Sequence, residues 1–163
     1  MFRSIKLYFT DREHYEERKR YLMLQKSTRK KLQKMAKKFC PWSGYYMHEM
    51  IRVMLEFYAI TYRNGDCCWS EEGRLEEIAT SLDVALHWAN ELDRLDTLED
   101  KELLEITQNN VAFEKYVTAW EIKVGHKADN TAMRAGLAMA FLTEKYTKAM
   151  YKIIGEHIWE WCD

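Results

Sequence analysis

A single proline, Pro41, interrupts the 163 residues, and only six glycines accompany it. Sandwiches and barrels need many tight turns, so this scarcity argues against a many-stranded β fold and for long helices. No apolar run approaches the roughly 18 residues that span a bilayer. The opening MFRSIKLYFTDRE sets charges where the apolar centre of a signal peptide would stand, so a soluble intracellular protein is expected. The four cysteines, Cys40, Cys67, Cys68 and Cys162, form no C-x-x-C pair. Side chains of the adjacent Cys67 and Cys68 diverge and no second pair completes a site, so reduced thiols are expected and no structural metal.

Catalytic signatures are missing as well. There is no glycine-rich phosphate loop, no G-x-S-x-G elbow and no H-E-x-x-H helix. His14, His48, His87, His126 and His157 share no metal-ligand spacing, and none has Glu three residues before it, which a di-iron bundle requires. The remaining enzymatic pattern is that of an all-α, magnesium-dependent nucleotide hydrolase, which holds its metal on carboxylates at i and i+3. Asp93 with Asp96, Asp96 with Glu99, and Glu99 with Glu102 have that spacing. They fall at a link between helices, where a run of acids is ordinarily a solvated edge. Neither catalytic residues nor a cofactor are assigned.

What is present is apolar periodicity and a division of charge. The chain is 47% hydrophobic and 31% charged, enough for a core and a wet surface. Residues 1–38 hold thirteen Lys/Arg against four Asp/Glu, a balance of +9, and the remainder, with twelve against twenty-two, carries −10. Ser4 to Phe9 alternates and predicts a short strand. Thr10 to Glu13 reads as a capping box that opens a helix ending before Pro41. Along it Tyr21, Gln25, Thr28, Leu32, Met35 and Phe39 form one stripe, fully apolar only in its last two turns.

A second helix, from Tyr45 to about Tyr62, is apolar round much of its circumference and is expected at the centre of a bundle, with a cap at Asn64-Gly65. A third runs from Ser70 to about Leu95 with Leu75, Ile78, Ala79, Leu82, Ala85, Leu86, Ala89 and Leu92 inward. A link and short helix occupy Asp93 to Glu105, and a further segment, Val111 to Val124, buries Val111, Tyr116, Val117, Trp120 and Val124. The last helix spans Thr131 to Trp161, and Gly136 and Gly155 within it predict close packing or a bend. Trp159 and Trp161 stand two apart, so one helix face cannot bury both. The fold expected is one all-α domain over residues 1–163, a bundle of four or five helices with a short N-terminal strand.

Two constellations are candidates for binding. The stretch KSTRKKLQKMAKKF places Lys26, Lys30, Lys31, Lys34, Lys37 and Lys38 on the arc opposite the apolar stripe. Such an arc contacts phosphates or an acidic protein surface, and its ordinary alternative is a solvated face. Base-stacking aromatics are not interleaved on it and the acidic remainder repels a polyanion, which disfavours extended nucleic acid. An acidic protein partner fits better; a homo-oligomer joining basic to acidic faces is a variant, and a small anionic nucleotide an alternative. His48, Glu49 and Arg52, with Glu56 nearby, suggest a polar pocket on the second helix, against a surface i,i+4 network.

The basic first helix, PWSGYYMHEMIRVMLEFY, SLDVALHWANELDRL and the terminal IWEWCD together resemble a group of small helical proteins of tailed bacteriophages. The chain departs from that group at Ser43, where an Asp is common, and at Glu160-Trp161-Cys162, which interrupts paired tryptophans. The resemblance implies a viral accessory protein in the cytoplasm of a bacterial host. With no catalytic constellation to set beside it, the expected activity is non-enzymatic binding of a host or phage macromolecule, a host defence component among the candidates. No membrane association is expected.

Overall fold

The structure, a computed structural model, describes residues 12–37, 44–64 and 72–162. Among them are six helices and no strand, and the all-α expectation holds: α1 Arg12–Ala36, α2 Gly44–Arg63, α3 Glu72–Leu95, α4 Asp100–Thr107, α5 Val111–Val124 and α6 Thr131–Cys162. The expected strand, the Thr10 and Ser70 caps, Lys38, Phe39 and Gly65 lie outside the described residues. No described helix is long and apolar enough to cross a membrane.

The packing divides into two compact units, Met1–Leu86 with Ile153–Asp163, and His87–Lys152. The divisions fall inside α3 and α6. In the first unit α1 packs on α2, and the core holds Met35 of α1, Val53, Leu55, Ala59 and Tyr62 of α2, Ile78, Leu82 and Ala85 of α3, and Trp161 of α6.

The last turn of α6 is tied in by polar bonds. The Tyr62 hydroxyl donates to the Trp161 carbonyl at 2.9 Å, one of the carbonyls a helix end leaves without an internal partner. The Trp161 indole N–H donates to Ser81 Oγ at 2.9 Å, and that hydroxyl donates to the Ile78 carbonyl at 2.9 Å. Each buried polar group in the chain of bonds is thereby satisfied, as burial demands. The His157 ring stacks on Trp161 at 6.5 Å and contacts the Glu160 carboxylate at 2.7 Å. Trp159, two residues earlier, is 79% exposed, so the pair divides as its spacing requires.

In the second unit the helix ends are capped by local side chains. Glu102 accepts from the Glu99 N–H at 2.9 Å to open α4. Asn110 Oδ1 accepts from the N–H groups of Ala112 and Phe113 to open α5, and Asn130 Oδ1 from that of Met133 to open α6. Gly125, at φ 71°, ends α5 in the left-handed conformation that glycine adopts without penalty. Phe113 and Val117 are the buried residues of α5, with Phe113 and Tyr116 packed on Phe141 at 5.6 and 5.5 Å.

Three expectations are corrected. Val111 and Val124, read as buried, are 69% and 53% exposed, because the inward arc centres on the larger Phe113 and these valines sit at the helix ends. Helix α2 is not enclosed: Met47, Met54 and Ile60 are exposed. Gly136 and Gly155 mark no close packing, since a Cβ at either would meet nothing within 4 Å and both face solvent.

Replacing Gly136 or Gly155 with alanine therefore stabilises the chain by about 0.5–1 kcal/mol each, through helix propensity alone. Denaturant unfolding monitored by circular dichroism checks this, and a loss of stability refutes it. By the same method Trp161→Ala costs about 3–5 kcal/mol and Tyr62→Phe about 1 kcal/mol. Trp159→Ala changes stability by less than about 0.5 kcal/mol.

Candidate functional site

The stripe on α1 faces α2 without closing against it. Leu24, Leu32 and Met35 turn inward, but Gln25 and Thr28 interrupt the stripe with polar, shorter or more hydrated groups. An open groove of about 460 Å³ remains, walled by Tyr21, Gln25, Thr28, Arg29, Leu32, Gln33 and Ala36 of α1 and floored by Met50, Met54, Phe57 and Tyr58 of α2. Tyr21 and Phe57 pack across it with ring centroids 6.0 Å apart, and Tyr58 meets Phe57 edge-on at 5.7 Å. Among its described lining residues one is charged, Arg29, and none is acidic.

The basic arc flanks this groove. Lys26, Lys30, Lys34 and Lys37 are all exposed. At 3.6 residues per turn, Lys26, Lys37 and Lys30 lie about 60° to 100° around α1 from Arg29, on the side away from the helix contact. Lys34 lies further round. Lys31 departs from the arc: its ammonium reaches Glu56 on α2 at 3.6 Å, on the flank of the α1–α2 contact opposite the groove. That carboxylate also accepts from Arg52 at 2.5 Å, so Lys31, Glu56 and Arg52 form one ion cluster between the two helices.

This cluster also accounts for part of the polar pocket expected on α2. Arg52 is committed to Glu56, while His48 and Glu49 are half-buried on α2. None of His48, Glu49 and Arg52 lines the groove. The residues missed by sequence reasoning are Met50, Met54, Phe57 and Tyr58, which read there as bundle core. Their signal was the mismatch between a half-polar stripe on α1 and an apolar one on α2, which leaves apolar surface uncovered.

In the second unit a cleft of about 760 Å³ is lined by Glu99, Asp100, Lys101, Glu105, Phe113, Glu114 and Arg134, among others. Arg134 is bonded to Glu114 at 2.5 Å and lies over the Phe113 ring at 5.7 Å. Of the i,i+3 acidic pairs, Glu99 with Glu102 serves the start of α4. No group of three or more His, Cys, Asp or Glu able to hold a metal occurs among the described residues.

Among the described residues, two groups have displaced proton affinities. Asp83 beside Arg63, through a hydrogen bond and charge, raises that guanidinium above its ordinary value. Burial first, and then the Glu91 carboxylate, raises the Tyr146 phenol above its ordinary value of 10; its ring packs on Trp88 at 5.3 Å. These features define an all-α protein with an open helix–helix groove beside a basic face. Comparison with protein-family models, with curated proteins and with solved structures gives no match to this chain.

Because the folded state holds the Tyr146 phenol neutral to higher pH than the unfolded chain does, its contribution to stability is full below pH 10 and is lost as pH rises beyond it. Stability measured by denaturant between about pH 8 and about pH 11 thus falls more steeply in the native chain than in Tyr146→Phe. Parallel curves refute the assignment.

Proposed function

We propose that this chain is a non-enzymatic binding protein whose contact surface is the basic face of α1 and the groove beside it. The observation that carries the reading is the juxtaposition of exposed lysines with an apolar groove that has no acid among its described lining residues. Uncovered apolar surface rimmed by charge of one sign is the ordinary form of a protein docking site. The resemblance to tailed-phage proteins supports an accessory role during infection, with a host or phage protein bearing an acidic surface as the partner. A host defence component is one candidate.

Reversal of Lys30, Lys34 and Lys37 to Glu tests this. All three are exposed on α1, so the helical circular dichroism and the unfolding midpoint stay within about 0.5 kcal/mol of the native protein. Capture of the partner from infected bacterial lysate is lost. Retained capture overturns the reading. A nucleotide released from the purified protein and identified by mass spectrometry overturns it in favour of ligand sequestration.

A further inference from the structure

Resting on that binding reading, we infer that the α1–α2 groove docks one amphipathic α-helix of a partner protein, with acidic residues along the flank that meets α1. The α1 wall runs from Tyr21 to Ala36. At 1.5 Å per residue that is about 22 Å, the length of a helix of about four turns. A helix satisfies its own backbone and can lay an apolar stripe on Met50, Met54, Phe57 and Leu32 without stranding polar groups. An extended segment would need a sheet edge to pair with, and no strand occurs among the described residues.

The floor suits such a guest. Met47, Met50 and Met54 follow one face of α2 at helical spacing, and Met47 and Met54 are 49% and 45% exposed. Unbranched, polarisable methionines adapt to apolar side chains of varied shape. The wall sets the guest's charge: Arg29 stands in the groove, Lys26, Lys30 and Lys37 follow round the helix, and the ion cluster of Glu56 lies on the far flank. An acidic flank on the guest therefore meets cations and no opposing carboxylate among the described lining residues.

Two other occupants fit less well. A single-stranded nucleic acid needs open aromatic faces, whereas Tyr21, Phe57 and Tyr58 are packed against one another. A second copy of this chain would have to offer a free amphipathic helix with an acidic flank: α4, which bears Asp100, Glu102 and Glu105, has eight residues and spans about 12 Å, half of the wall, and the longer acidic α3 already buries its apolar side, Ile78, Leu82, Ala85, Ala89 and Leu92.

The experiment uses the full chain and fluorescein-labelled peptides of about sixteen residues, long enough to fill the wall. One carries leucines at i, i+3, i+4 and i+7 with Glu along one flank; a second has the same composition scrambled; a third has Lys in place of Glu. Fluorescence anisotropy is expected to show the acidic helix binding about tenfold or more tightly than either control, weakening as salt rises. Met54→Asp and Arg29→Glu, both at exposed positions, each weaken it about tenfold with the circular dichroism unchanged.

Equal binding of all three peptides, or none, overturns the inference. If none binds while the lysine reversal still abolishes partner capture, the helix-in-groove assignment falls and the binding reading stands. If the acidic peptide binds and the reversal variant keeps its partner, the binding reading falls. Displacement of the peptide by single-stranded RNA identifies a nucleic-acid groove and overturns the inference. So does sedimentation of the chain alone as a dimer that Met54→Asp dissociates.

Discussion

The buried indole of Trp161 is the joint on which the first unit closes. The indole N–H is held by Ser81 and the residue's backbone carbonyl by Tyr62, groups 80 and 99 residues away along the chain. Contacts of such sequence separation carry a loop-closure cost that local contacts do not. A large apolar ring whose N–H is satisfied, on a residue whose backbone carbonyl is satisfied too, offsets that cost. With the end of α6 held against α2 and α3, α2 keeps its Val53–Leu55–Ala59–Tyr62 side inward and turns its methionines towards α1.

From that orientation the groove follows. Helix α1 contributes little buried surface; Met35 alone of its described side chains is fully inside the core. The Lys31–Glu56–Arg52 cluster closes one flank of the contact with α2. The other flank stays open because Gln25, Thr28 and Gln33 retain their hydration more cheaply than they would fill an apolar seam. The same helix thus presents a wet basic surface and an incomplete apolar one side by side. That combination is the ground for the proposed amphipathic partner.

Much of this was legible in the sequence. The spacing of Ile78, Leu82, Ala85, Ala89 and Leu92 gave α3 and its buried face together. The bounds of α5 agree with those read from periodicity, and α6 extends one residue further. The candidate site was half legible: the lysines of α1 were readable as a surface set, but the groove beside them was not. Periodicity reports that Met50, Met54 and Tyr58 share an apolar side. It carries no term for whether the facing helix is apolar enough to cover them.

By itself, then, the sequence determined the all-α class, the helices and their order, the concentration of positive charge in the first 38 residues, and the division of Trp159 from Trp161. These depend on spacing along one chain and on local chemistry. Only the tertiary structure decided that Lys31 turns to Glu56, that Val111 and Val124 stay outside, that both α6 glycines face water, and that a groove lies open beside Arg29. Each of those depends on which distant residue stands opposite, and that is a property of packing between helices.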